Sequence, residues 1–336
     1  MKRSIVLALL ASGCTGTVGS MLSNGAVEVT APYTLGTEDF GMACASGVAF
    51  GNFLMAYTPF TDAPHRANVA GASSAAMCAE ADAFEAELRR LRALFEKRPL
   101  EAEDARITEQ NLHYLAAIRN HSAFKSLVIT YGAPGELDED GKLACPDLEP
   151  GEVEQLGFLL GLSSGVLAVV HDRQSGARAN VPMDIPPAIR RATGCFADTD
   201  WWGMPASLRS ALELSLPQDD VPPETSWAAL AGAAEKGAAA GMSLPRALYI
   251  QTLAAQGRLD VACAEIAKHA AWEETAAPPA QYRLLDTYAR HLIRHEVNKL
   301  WTEAKGHRAP PTVMACPESN AAPDAPPDTP EQLFGD

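Results

Sequence analysis

The residues best suited to chemistry in this 336-residue sequence are His291 and His295, in the run His291-Leu292-Ile293-Arg294-His295-Glu296. A spacing of four sets two imidazoles on one face of a helix, where they could ligate a metal ion if a third donor arrived. Glu265 and His269, also four apart, are the nearest such donors if their segment packs on the one that follows. The order His-Glu-x-x-His, which places a glutamate base beside the metal, is absent, so hydrolytic zinc chemistry is disfavoured. The competing reading is a polar helix face shared with Arg290 and Arg294. Trp201-Trp202-Gly203, flanked by Asp198, Asp200 and Pro205, sets two large aromatics at a turn before a helix. One of them, exposed, could line a pocket for an apolar ligand or meet a partner. The other use of such a pair is to anchor the entry of the next helix. His171-Asp172-Arg173 brings a histidine next to a carboxylate, but neighbours at a helix end point apart, so a cap or an ion pair is expected there. No Gly-x-Ser-x-Gly, no phosphate-cradling glycine loop and no dinucleotide fingerprint is present, which points away from an enzyme and calls for no cofactor.

The N-terminus has its own chemistry. A basic start (Met1, Lys2, Arg3) is followed by an apolar run from Ser4 to Ala11. That run falls short of the roughly 20 residues a membrane span needs and suits the core of a signal peptide. Leu10-Ala11-Ser12-Gly13-Cys14 resembles the lipobox of bacterial lipoproteins, with Ala11 where that pattern favours leucine. The resemblance implies a signal peptide over 1–13, a lipid on Cys14 as the membrane anchor, and a place on the periplasmic side of the envelope. Thr15 and Gly16 follow, with no aspartate at the second mature position, which favours the outer over the inner membrane.

Six further cysteines remain: Cys44, Cys78, Cys145, Cys195, Cys263 and Cys316. An even number permits complete pairing in an oxidising space, and burial as small apolar side chains is the alternative for any one of them. One pairing follows from geometry. If 40–58 and 64–95 form an antiparallel helical hairpin turning near Thr61, Cys44 and Cys78 each stand 17 residues from the turn. At about 1.5 Å rise per residue they reach the same height, as a bridge requires.

The elements that must position these groups read as helices almost throughout. Apolar residues recur at spacings of three and four, and alternating β-branched runs are nearly absent. Helices are expected over 38–58, 64–97, 102–131, 151–171, 184–196, 204–215, 224–240, 243–256, 259–273 and 279–305. Asp62 before Pro64 and Ser243 before Pro245 mark starts; Gly132, Gly241, Gly257 and Gly306 mark ends. The Ala-, Ser- and Gly-rich stretch 67–83 should allow close helix contact. The expected fold is all-α, with antiparallel hairpins stacked as a solenoid or bundle: a long hairpin region over 37–132 and repeat-like pairs over 150–307. Residues 14–36, rich in Gly, Ser and Thr, read as a lipidated tether. Residues 308–336, with seven prolines, read as a disordered acidic tail whose start Cys316 could pin. Beyond the leader no apolar stretch is expected to span a membrane.

A formal charge of −15 argues against nucleic acid and against broad docking on anionic lipid. An apolar share of 47% suffices for a core, and the length for one large helical domain or two smaller ones.

Residues 247–270 resemble a tetratricopeptide unit: a helix ending at Ala254-Ala255-Gln256-Gly257, a turn at Arg258-Leu259-Asp260, and Ala262, Ile266 and Ala267 facing back. Phe53 to Pro64 resembles a helix leading into an Asp-Pro turn and a second long helix, Leu159 to Val169 a leucine-rich helix with small residues, and Tyr282 to Ala304 a closing helix with a basic and an apolar face. With the lipobox, these resemble the T-component family of periplasmic lipoproteins associated with TRAP transporters. The resemblance implies a helical scaffold with a ligand channel that meets a periplasmic solute-binding protein. Two alternatives stand beside it: a metal-dependent enzyme centred on His291 and His295, and a purely structural envelope protein.

Overall fold

Each stretch with three- and four-residue apolar spacing becomes a helix, and the caps fall where glycine and proline put them. A computed structural model describes residues 2–148, 152–216 and 221–318, with side chains from Cys14 onward. Its helices are α1 (Lys2–Gly25), α2 (Ala31–Leu35), α3 (Phe40–Met55), α4 (Ala63–Phe95), α5 (Pro99–Tyr131), α6 (Glu152–Gln174), α7 (Ile185–Ala192), α8 (Met204–Ser215), α9 (Pro223–Ala239), α10 (Leu244–Ala255), α11 (Leu259–Glu273) and α12 (Arg283–Lys305). The fold is all-α, and among the described residues the only β pairing is an isolated bridge between Leu137 and Leu143. The glycines expected to end helices, Gly132, Gly241, Gly257 and Gly306, take φ of 85°, 78°, 70° and 75°, a region open to glycine because it lacks a Cβ.

The long antiparallel pair α4 and α5 organises the rest. At 33 residues each, these helices run about 50 Å. Helix α4 is central: α3, α5, α6, α12 and α1 all lie against it. Its buried positions are mostly alanine, including Ala72, Ala76, Ala79 and Ala83, so neighbours approach closely. Helix α3 comes close enough that a Cβ on Gly47 would lie 2.6 Å from the carbonyl oxygen of Gly71. Ser73 and Ser164 exchange a 2.7 Å hydrogen bond that ties α4 to α6. The main core gathers Phe124, Leu127, Phe158, Leu162, Ile189 and Leu208 from α5 to α8.

Cys44 and Cys78 are joined across α3 and α4, with Cα atoms 5.5 Å apart, as the hairpin geometry predicts. Cys145–Cys195 and Cys263–Cys316 are also joined, leaving Cys14 free and exposed. Helices α10 and α11 form the expected hairpin. On α11 Ala262 and Ile266 are buried as expected, but Ala267 is exposed; Glu265 and His269 complete the inner face.

Three further expectations need correction. Residues 15–36 are helical and packed rather than a flexible tether. Their glycines serve close contact, since a Cβ on Gly19 would come 2.8 Å from the Cβ of Tyr57, and Ala26 and Val27 are buried with Leu54 and Ala67. Helix α6 is long and apolar enough to cross a membrane, contrary to the expectation of no such stretch after the leader. Leu156, Phe158, Leu159 and Leu162 nevertheless lie buried within the helical body. Finally, residues 308–318 are held against α12 rather than loose. Arg294 donates to the carbonyls of Val313 and Pro311, Trp301 donates to that of Ala315 at 2.8 Å, and Cys316 is disulfide-bonded. The rest of the expected tail, 319–336, lies outside the described residues.

Candidate functional site

Small side chains on α4 leave space beneath the segment that joins α1 to α3. A π-helical turn (Ala26–Thr30) and α2 roof two adjoining clefts of about 80 and 110 Å³. Both are bounded by Ala26, Ala31 and Leu35 above, Ala67 and Ala70 on α4, and Leu160 on α6. One cleft runs on beneath α3 to Gly47, Gly51 and Leu54, and its lining is almost wholly apolar. Dry cavities of this order admit a small ring or a short chain.

The second cleft ends in polar groups. Tyr131 donates to Glu154 at 2.6 Å, and Arg66 forms an ion pair with the same carboxylate. Opposite, Tyr282 donates to Glu152 at 2.6 Å. Burial and the adjoining carboxylate push both phenols above their ordinary range, so each stays a donor. The described lining therefore offers apolar walls, one guanidinium, the Glu152 carboxylate and two phenols, with neither histidine nor cysteine. Such a set can hold and orient a molecule with an apolar body and a polar end.

Trp201 and Trp202 stand one layer behind this site. Both take left-handed backbone, with φ of 48° and 62°, followed by Gly203 at 89°. Non-glycine residues pay about 1–2 kcal/mol each for that conformation, so ring packing must hold them there. The Trp202 ring lies 4.7 Å from that of Tyr282 and the Trp201 ring 6.1 Å, both edge-on. The pair thus backs a phenol of the cleft without lining it, and it also precedes α8 as an anchor would.

The histidines go elsewhere. His295 meets Glu87 at 2.8 Å and stacks on Phe84 with ring centres 3.7 Å apart, while His291 lies between Phe40 and Phe84. Glu265 pairs with Lys268 at 2.5 Å, and neither ring nitrogen of the buried His269 has a hydrogen-bond partner. Among the described residues no three His, Cys, Asp or Glu side chains gather as a metal site would require. His171 and Asp172 do point apart: Asp172 braces the loop after α6, accepting from the backbone of Ala179 at 2.7 Å and Val181 at 2.9 Å, rather than capping the helix, while His171 faces Glu80.

A buried polar network escaped the sequence reading. Glu80 on α4 accepts from Tyr288 on α12 and faces His171 on α6 at 3.3 Å, and His171 meets His113 on α5 at 3.1 Å. Burial opposes the charge on Glu80, but His171 and Tyr288 outweigh it and hold its pKa below the ordinary value. For Glu87 the same contest, decided by His295, Lys299 and Arg90, ends at about 2. Burial lowers His113 to about 4, with a further push from His171. A charged residue inside the Ala-rich run was the one local signal, since a carboxylate on a buried helix face demands partners. None of these side chains lines either cleft.

No protein-family model matches the chain, and no curated protein and no solved structure matches it either.

Proposed function

We propose that this chain is an exported bacterial lipoprotein, held on the periplasmic side of the envelope by an acylated Cys14, whose helical body binds a small amphipathic molecule. The observation that carries the binding role is the pair of clefts beneath residues 26–35, apolar along α4 and polar at Tyr131, Tyr282 and Glu152. The export reading draws support from the cysteines: all but the lipobox residue are joined in pairs, a pattern at home in an oxidising compartment. Association with a TRAP transporter, with a solute-binding protein as partner, is the form that the T-component resemblance gives this role. A metal enzyme centred on His291 and His295 draws no support, because Glu87 engages His295 and, among the described residues, no group of three such donors gathers there.

Native mass spectrometry of protein extracted in mild detergent, together with thermal shifts in a series of linear alcohols of increasing chain length, tests this reading. Retained small molecules and a chain-length optimum are expected. Ala70→Phe, which fills the space shared by both clefts, should abolish the shift while far-UV circular dichroism stays the same. No retained molecule and a flat response in the parent protein would remove the binding role.

A further inference from the structure

Helix α3 has no charged face. Phe40–Met55 contains no charged residue, and neither does the chain onward to Thr61. Its inner face, Ala43, Cys44, Gly47, Gly51 and Leu54, is buried. Its outer face is exposed and, apart from Asn52, apolar: Met42 is 60% exposed, Phe53 49%, and Ala45 and Ala49 stand between them. An uncharged helix with only Ser46 and Asn52 as polar side chains belongs inside a protein or in lipid, and this one is covered on one side only. The exposed Phe60 extends the stripe past its end, and Phe50, Phe53 and Tyr57 make a chain of ring contacts at 6.0 and 5.7 Å.

Resting on the lipoprotein reading, we infer that the outer face of α3 lies in the surface of the bilayer that anchors Cys14, with Phe53 and Phe60 in the headgroup–acyl boundary. Two observations choose lipid as the occupant. The first is position. A Cβ on Gly16 would come 2.9 Å from the carbonyl oxygen of Phe60, so Cys14, two residues earlier on α1, emerges beside the aromatic end of α3. An acyl group on that thiol brings this end to the membrane. The second is charge. The chain carries −15 overall, so an anionic surface repels most of it, yet residues 40–61 carry no charge to be repelled or desolvated. Length decides how the helix sits: 16 residues cover about 24 Å, too short to span the hydrocarbon, so α3 lies along the boundary. Aromatic side chains favour that depth.

Tryptophan reporters test this in the acylated protein reconstituted into vesicles of phosphatidylcholine with brominated acyl chains. Phe53→Trp and Phe60→Trp are read as differences from the parent protein, with Leu100→Trp as control. Leu100 is 87% exposed at the start of α5, just past the C-terminal end of α4. A blue shift and loss of emission for the two α3-side reporters, with none for the control, is the expected result. Equal emission in brominated and plain vesicles for Phe53→Trp, on protein whose mass shows an acylated Cys14, would overturn the inference and leave the anchor standing. A mass without the acyl group would instead remove the anchor reading and this inference together. A blue shift that grows with protein concentration in detergent without vesicles would assign the face to a second copy of the chain and overturn it as well.

Discussion

The phenol of Tyr288 donates to the carboxylate of Glu80 across 208 residues of sequence, joining the last long helix to the central one. Both groups are buried, and the same carboxylate faces His171. Removing one member of such a set strands the others without water. Glu80→Ala is therefore expected to cost on the order of 3 kcal/mol. Glu80→Gln, which keeps an acceptor for Tyr288, should cost less. Urea unfolding of both variants checks the order, and equal losses would mean that the hydrogen bonds contribute little.

Acid should begin to destabilise the protein before its carboxylates titrate. Burial holds His113 and His269 at about 4, against an ordinary 6.5. Between those values the unfolded chain binds protons that the native state refuses, so stability is complete above 6.5 and falls as pH drops. Each histidine can withdraw on the order of 3 kcal/mol by pH about 4. Glu80 and Glu87, held below 4.5, add their losses further down. Denaturation midpoints measured from neutral to acid pH should show the fall, and His113→Gln should make it shallower. A profile that stays flat between pH about 6.5 and 5 would contradict the assignment.

Alkylation of denatured but unreduced protein should label no cysteine other than Cys14, because the remaining six are paired. Replacing Cys145 and Cys195 together by alanine opens a link between residues 50 apart in sequence. Loop-closure entropy puts the loss at about 4 kcal/mol. A melting temperature that does not move would show that this pair leaves the unfolded chain as free as before.

Two glycines should respond in opposite directions to alanine. At Gly47 the new Cβ would meet the carbonyl oxygen of Gly71 at 2.6 Å and the amide nitrogen of Ala75 at 2.9 Å, backbone atoms that cannot rotate away. Helix α3 must shift, at a cost of about 1–3 kcal/mol. At Gly232, within α9, nothing lies within 4 Å of the new methyl, and helix propensity alone predicts a gain of about 0.5–1 kcal/mol. Thermal melts of the two variants side by side separate packing from propensity.

The site was partly legible. Trp201 and Trp202 drew notice as large aromatics at a turn, and they do back the cleft through Tyr282. Nothing local in the sequence marks Tyr282 as part of a site, because its partner Glu152 lies 130 residues away. The Gly- and Ser-rich run after Cys14 has the composition of a linker, yet the same small residues let α1 press against Tyr57 and Phe60. Composition cannot separate these uses, since freedom of the backbone and closeness of contact ask for the same residue.

What the sequence by itself determined is local: ten helices from apolar spacing, their ends from glycine and proline, and the Cys44–Cys78 bridge from equal distances to one turn. These depend on a few neighbouring residues or on simple helical rise, so they survive without knowledge of the neighbours in space. The roof formed by residues 26–35, the clefts under it, the Glu80 network and the bare outer face of α3 were decided by tertiary structure alone. Each depends on which helices meet and at what distance, and the local pattern of apolar residues leaves that open.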